Sequence, residues 1–267
     1  MSGDLILSSL FLRGLLAGGC LALACGLLGV FLVLRRDAMI SHGLSHVAFA
    51  GVALGLALNL MPVIFSIAVC LLGSLLIIRL KEQARLPGDT AIALLSSAGL
   101  ALAVLLMSLK KDFGAELMSY LFGDILAIGP SEIYLAAGLA VLVSAGISLN
   151  LSRLIFMMFD REAASVSGLG LKKLDRLLVM MSAVTIVLGL RIVGLLLVTG
   201  LTVIPAASAL QLARNFRQTL FFSCLFSLLS ILGGISLAYV FNLPASAAII
   251  FLALVIFALA YLLKRRY

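Results

Sequence analysis

Long apolar runs follow one another along this chain, and short polar or basic segments separate them. A helix needs about 20 predominantly apolar residues to cross the hydrocarbon core of a bilayer. Nine runs come close to this length or exceed it, at about residues 5–34, 40–58, 62–80, 89–109, 133–151, 174–190, 192–212, 220–241 and 244–263. The pattern therefore predicts an all-α, polytopic transmembrane helical bundle of about eight to nine spans. The division on either side of Arg191 is the least clearly marked of these boundaries.

Composition agrees with a membrane protein and excludes a soluble one. Hydrophobic residues make up 64% of the 267 residues and charged residues only 11%, which is less than half the usual share in soluble domains. A soluble fold needs more polar surface than this to cover its core. No hydrophilic domain interrupts the pattern, so residues 1–267 are expected to form a single transmembrane domain. The first apolar run is too long for a cleavable signal peptide and lacks a basic segment before it.

The basic residues predict the orientation in the membrane. Of the 19 Lys and Arg residues, 15 fall in segments that one alternating topology places on the same side. Because basic residues are enriched in cytoplasmic loops, this topology puts the amino terminus outside and the carboxyl terminus in the cytoplasm. The net charge of +8 does not indicate nucleic-acid binding, since the cations lie in short clusters and not on a continuous basic face.

Two segments differ from ordinary spans. Residues 114–130 are too few to cross a bilayer yet too apolar for a solvated loop, which predicts a re-entrant or interfacial helix. Residues 160–175 form an amphipathic connection on the cytoplasmic side, with charge at both ends. Glycines at small-xxx-small spacing, such as Gly51 and Gly55, favour close helix packing within the chain or between copies.

The only two histidines, His42 and His46, lie within the first two turns of the second predicted span. Because they are four residues apart, a helix presents both on one face. Two imidazoles at this spacing can bind one transition-metal ion, and ionisable residues inside spans commonly have a functional role. Hydrogen bonding between helices is the alternative role. The sequence pattern alone leaves both open.

Acidic residues supply one further candidate. Asp124 lies in the predicted re-entrant helix and is a candidate for the translocation pathway, although a helix cap after Gly123 is an equal alternative. Asp112, Glu116 and Glu132 are expected to be exposed charges of loops or of the interface.

The residues bear on three classes of function for a membrane protein, namely a protease, a proton-driven transporter and an ATP-driven transporter. An intramembrane metalloprotease would need Glu directly after the first histidine, where this chain has Gly43. A secondary transporter driven by protons could use the two histidines as carriers. The dipeptide Gly-Lys of a nucleotide-binding loop occurs nowhere in the chain, so any ATP must bind to another subunit.

Four stretches together resemble a known family, namely residues 34–53, 120–124, 160–169 and 203–207. Through them the chain resembles the membrane permeases of bacterial ABC importers for divalent metals, in the zinc, manganese and iron branch. The resemblance implies a fold similar to the vitamin B12 and siderophore importers, and a homodimer in the bacterial cytoplasmic membrane. It also implies cytoplasmic ATPase subunits that hold the ATP, and an extracytoplasmic metal-binding protein. The chain itself is then no enzyme and holds no permanent cofactor.

The resemblance also implies the site residues. His46 matches the family's histidine in the second span, whereas His42 stands where many relatives carry Asp. Imidazole suits zinc and carboxylate oxygens suit manganese, so zinc is the favoured cargo, with manganese and iron as alternatives. Residues 160–168 match the family's coupling region. The residues expected to couple to the ATPase are Asp160, Glu162 and Gly168.

Overall fold

The computed structural model describes residues 2–83, 87–109, 114–123 and 128–264. Within these ranges the secondary structure is helical, with turns between the helices and no strand. The helices are α1 (Ser2–Leu34), α2 (Met39–Ala57), α3 (Pro62–Gln83), α4 (Gly88–Leu109), α5 (Gly114–Phe122), α6 (Pro130–Phe159), α7 (Arg161–Val166), α8 (Leu171–Val193), α9 (Leu195–Leu212), α10 (Phe216–Phe241) and α11 (Ala245–Lys264). Among the described residues, nine helices are long and apolar enough to cross a membrane, and these are all except α5 and α7. The predicted all-α, multi-span fold is therefore confirmed.

The chain changes direction at Gly194, so the predicted division at Arg191 is wrong by one helical turn. Arg191 belongs to the last turn of α8, and Gly194 separates this helix from α9. Gly194 has a φ of 84°, a left-handed conformation that favours glycine. Its N–H still donates to the Leu190 carbonyl at 3.2 Å. Gly189 packs against Val198, so α9 folds back along α8 directly after the break.

Helices α1, α2, α8 and α9 form the interior of the bundle, and the other long helices surround them. In both α2 and α8, 72% of the most apolar stretch is buried, compared with 11% in α4. The apolar side chains on the outer helices need no cover in a bilayer, because lipid is itself an apolar solvent. The helix that carries both histidines is thus among the most enclosed.

Small residues bring α2 and α3 into close contact. A Cβ atom at Gly51 would lie 2.6 Å from the Cα of Ser66, and one at Gly55 would lie 2.7 Å from the Cα of Pro62. The Ser66 hydroxyl donates to the Ala48 carbonyl at 2.8 Å, which adds a hydrogen bond between the two helices. The close packing predicted from Gly51 and Gly55 is confirmed, and for this pair it occurs within the chain.

The two ends of the bundle differ in charge. At one end, Lys81 of α3 pairs with Asp37 between α1 and α2, and Lys264 of α11 donates to Gln211 of α9 at 3.1 Å. Arg191 lies at the opposite end of α8. This arrangement follows the predicted alternation of spans. The assignment of the basic end to the cytoplasm stays a prediction.

Candidate functional site

His42 and His46 are in contact on one face of α2, as their spacing predicts. Their ring centroids are 4.7 Å apart, and the rings are nearly perpendicular, at 85°. The His42 side chain is exposed, whereas His46 is half-buried. The Nδ1 atom of His46 is shielded from solvent and has no hydrogen-bond partner. Shielding a nitrogen from water costs free energy when its lone pair or N–H has no hydrogen-bond partner. Binding a metal ion is one way to give the nitrogen a partner.

Hydrogen bonding between helices, the alternative role for this pair, is not observed among the residues that the structure describes. Within the described residues, neither imidazole makes a hydrogen bond to another side chain or to the backbone. The neighbouring Ser45 hydroxyl donates to the His42 carbonyl at 2.7 Å and is therefore engaged within α2. The two imidazoles remain the polar groups available at this position.

Helix α4 fixes the backbone that carries the two rings. Gly43 faces Ile92 of α4, and a Cβ at Gly43 would collide with that side chain. One turn further on, a Cβ at Gly99 of α4 would lie 2.8 Å from the carbonyl oxygen of His46. Glycine on each helix therefore permits an approach of α2 and α4 that a larger residue would prevent. The position of both imidazoles along the bundle and their direction around the axis of α2 depend on this contact between α2 and α4.

The pair could supply at most two ligands to a metal ion, whereas structural zinc sites normally have four. The described ranges contain no group of three or more His, Cys, Asp or Glu side chains that could hold a metal ion. Asp124, the other predicted pathway residue, lies outside the described residues. An ion bound by the two imidazoles would keep coordination positions for water or for other groups. Such a site favours transient binding over permanent binding.

The predicted coupling segment forms the short helix α7 and the turn after it. The Asp160 side chain accepts a hydrogen bond from the Ala163 N–H at 2.8 Å and so caps the start of the helix. Glu162 is exposed in its first turn. Gly168 ends the segment with a φ of 76°, a conformation that favours glycine. Val166 is 90% exposed, which leaves an apolar side chain on the free surface of α7.

A second polar cluster lies at the opposite end of the bundle. Arg191 of α8 donates to the Tyr120 hydroxyl of α5 at 2.7 Å and to a carboxylate oxygen of Glu132 in α6 at 3.2 Å. The Glu132 side chain is only 16% exposed, so the expectation that it is an exposed charge of a loop or of the interface is wrong. Its spacing from Arg191 in sequence gave no sign of this pairing. The short helix predicted within residues 114–130 is present as α5, and Arg191 attaches it to α6 and α8.

Replacing Arg191 by Met should loosen α5 without unfolding the bundle. The substitution removes a hydrogen bond to the buried Tyr120 and a partly exposed ion pair, whose combined contribution we place at about 1–1.5 kcal/mol. Amide hydrogen exchange in α5 should therefore quicken by roughly five- to tenfold. Arg217→Met, at an exposed arginine of α10, is the matched control. Unchanged exchange in α5 of the Arg191 variant would show that the cluster does not hold this helix.

The ion pairs that Asp37 and Asp175 form with basic residues were not predicted from the sequence. The sequence pattern gives Asp37 no role and marks Asp175 only as the charged end of residues 160–175, yet each lies within ion-pair distance of two cations. Asp37 pairs with Arg35 and Lys81, and Asp175 pairs with Arg35 and Arg161. A single acidic residue beside a cluster of cations is the signal in the sequence, although it does not identify the partners.

Over nearly its whole length, the chain is similar to membrane proteins of metal transport systems. The model of the family described as the ABC 3 transport family matches residues 8–264. The high-affinity zinc uptake system membrane protein ZnuB of Haemophilus influenzae is 33% identical over 253 residues, which cover 94% of this chain and 97% of that protein. The manganese transport system membrane protein MntC of Listeria monocytogenes is 28% identical, covering 94% of this chain and 89% of that protein.

A solved structure has the same architecture. PsaBC from Streptococcus pneumoniae in complex with Fab superimposes with a TM-score of 0.86 at 27% sequence identity. The match covers 96% of this chain and 92% of that chain.

Proposed function

The chain belongs to the ABC 3 transport family, and from this premise we propose that it is the membrane permease subunit of an ATP-driven importer whose cargo is zinc. The observation that carries the choice of cargo is the contact between His42 and His46 in the enclosed helix α2. Two imidazoles without a carboxylate beside them in the described residues favour zinc over manganese. The 33% identity to a zinc uptake protein over 97% of that protein's length supports the same choice.

Manganese is the competing cargo, because a manganese transport protein is also similar over most of its length. Carboxylate oxygens are the ligands that manganese prefers, and His42 stands where such an oxygen would be expected. A carrier driven by a proton gradient is disfavoured by the family, whose members belong to ABC transport.

In the proposed mechanism, this chain performs no covalent chemistry. An extracytoplasmic binding protein delivers the ion to a cavity on the axis of a homodimer. His42 and His46, together with Asp124, offer transient ligands that offset part of the free energy of removing water from the ion. Their affinity must stay modest, since an ion that binds tightly would not leave.

ATP binding and hydrolysis on two cytoplasmic subunits would then change the access to the cavity. These subunits would contact the segment of Asp160, Glu162 and Gly168, where α7 presents the exposed Val166. In this proposal the chain lies in the bacterial cytoplasmic membrane, with its amino terminus outside and its basic end in the cytoplasm.

Uptake of radioactive zinc tests the proposal. Cells that express the chain with its ATPase and binding-protein partners should accumulate zinc, and a variant ATPase that cannot hydrolyse ATP should abolish this accumulation. Excess manganese or ferrous iron should compete weakly. Uptake that persists without the ATPase but stops when the proton gradient is collapsed would contradict the importer. Uptake of manganese with exclusion of zinc would contradict only the cargo.

A further inference from the structure

Alternating charges connect α7 to the start of α2 at the basic end of the bundle. The first residue of α7, Arg161, pairs with Asp175 of α8 at 2.6 Å. Asp175 also lies 3.0 Å from the guanidinium group of Arg35, which follows α1, as a contact between charges without hydrogen-bond geometry. Arg35 pairs in turn with Asp37 at 3.1 Å, and Asp37 pairs with Lys81 of α3 at 2.6 Å. We call these five residues the ion-pair chain.

The inner links of the ion-pair chain are shielded from water. The exposed fractions of the side chains are 9% for Arg35, 15% for Asp37 and 17% for Asp175. Arg161, the link to α7, is 57% exposed. Interactions between shielded charges are screened less by salt than those on the surface. Removing one partner of a shielded pair also leaves the other charge uncompensated. The inner links are therefore weakened less by salt, whereas the outer link lies where a partner protein can reach it.

Backbone hydrogen bonds connect the turn that carries Arg35 and Asp37 to both α1 and α2. Arg36 has a φ of 59°, and the Asp37 N–H donates to the Leu32 carbonyl at 2.9 Å, which closes the end of α1. The Ile40 N–H donates to the Asp37 carbonyl at 2.9 Å, so α2 begins from the same turn. A displacement of Asp37 therefore moves the first turn of α2, and His42 follows five residues after Asp37.

We propose that Asp175 is a positioning residue that transmits movement of α7 to α2 and so to the two histidines; this inference rests on the proposed function. Helix α7 packs against the end of α6, and the Arg161–Asp175 pair attaches it to α8. The Asp175 carboxylate lies between two guanidinium groups, those of Arg161 and Arg35. With this carboxylate neutralised, the two cations repel each other and movement of α7 no longer displaces the turn before α2.

The test uses the permease assembled with its ATPase in liposomes, with the zinc-loaded binding protein outside. Two quantities are measured, namely the zinc moved per ATP hydrolysed and the stimulation of ATP hydrolysis by the binding protein. Asp175→Asn should lower the zinc moved per ATP by at least tenfold and should remove the stimulation. Assembly and unstimulated hydrolysis should stay within twofold of the wild type. Asp175→Glu, which keeps the charge, should restore most of both quantities.

Arg161→Met separates transmission from a structural role. It breaks only the exposed link and leaves the shielded Arg35–Asp175 pair, so it should uncouple hydrolysis from transport at an unchanged melting temperature. Glu82→Gln is the matched control, because it breaks the exposed Lys172–Glu82 pair at 3.7 Å in the same region and should change neither quantity.

If Asp175→Asn moves as much zinc per ATP as the wild type and keeps the stimulation of hydrolysis, the inference is overturned. The inference is also overturned if Arg161→Met moves as much zinc per ATP as the wild type while Asp175→Asn has a lowered melting temperature. Asp175 would then only stabilise the fold. If the wild type moves no zinc, the proposed cargo fails. The stimulation of hydrolysis by the binding protein, compared between wild type and both variants, then still decides the inference.

Discussion

Replacing His46 by Ala should lower zinc uptake by at least about tenfold, which is the scale at which even supporting residues affect metal sites. The reason is the environment of this ring, which is half-buried with a shielded Nδ1 and no hydrogen-bond partner. No other residue in the described ranges replaces its nitrogen beside His42. The measurement is the initial rate of radioactive zinc uptake, normalised to the amount of permease that copurifies with the ATPase.

Substitutions at His42 provide the comparison. His42→Ala should also lower uptake by about tenfold, because the remaining ring cannot hold the ion alone. His42→Asp keeps a ligand at the same position but exchanges nitrogen for oxygen, so uptake should continue and shift from zinc toward manganese. If both alanine variants transport zinc at the normal rate while assembled, the pair is structural and the site assignment is wrong.

The long helices were predictable because the bilayer imposes their length. About 20 apolar residues in a row have few other stable arrangements, and the nine predicted runs correspond to nine helices in the described residues. The contact of the two rings was predictable for a similar reason, since helix geometry alone brings residues four apart together.

Tertiary contacts were not predictable in the same way. Arg35 and Asp175 are 140 positions apart in the sequence, and only the packing of α1 beside α8 brings them to 3.0 Å. The sequence pattern predicts a division between spans at Arg191, but this residue lies within α8 and pairs there with Glu132 of α6. The break occurs instead at Gly194, where the backbone requires a positive φ.

The contact between α2 and α4 also required the structure. Gly43 and Gly99 lie on different predicted spans, and nothing in their local pattern shows that Gly99 lies against the carbonyl of His46. Glycine is frequent in membrane helices, so its presence alone does not distinguish a close helix approach from an exposed position.

Two Gly→Ala substitutions in long helices should therefore have opposite effects on stability. At Gly99 a Cβ would lie 2.8 Å from the His46 carbonyl oxygen, 3.0 Å from its carbon and 3.1 Å from the Cα of Val47. Because all three are backbone atoms, α4 must move away from α2, at a cost of about 1–3 kcal/mol. At Gly138 of α6 a Cβ meets nothing within 4 Å, so Ala should stabilise the helix by about 0.5–1 kcal/mol.

Thermal unfolding of the two purified variants in the same detergent measures this difference. Gly99→Ala should melt below the wild type and Gly138→Ala at or above it. Zinc uptake should fall severalfold in the first variant alone, because displacement of α4 shifts the backbone that carries His46. A Gly99 variant that melts and transports like the wild type would mean that α2 and α4 do not approach so closely in the membrane. In that case the position of the histidine pair would have to depend on α3 and α8, which also contact α2.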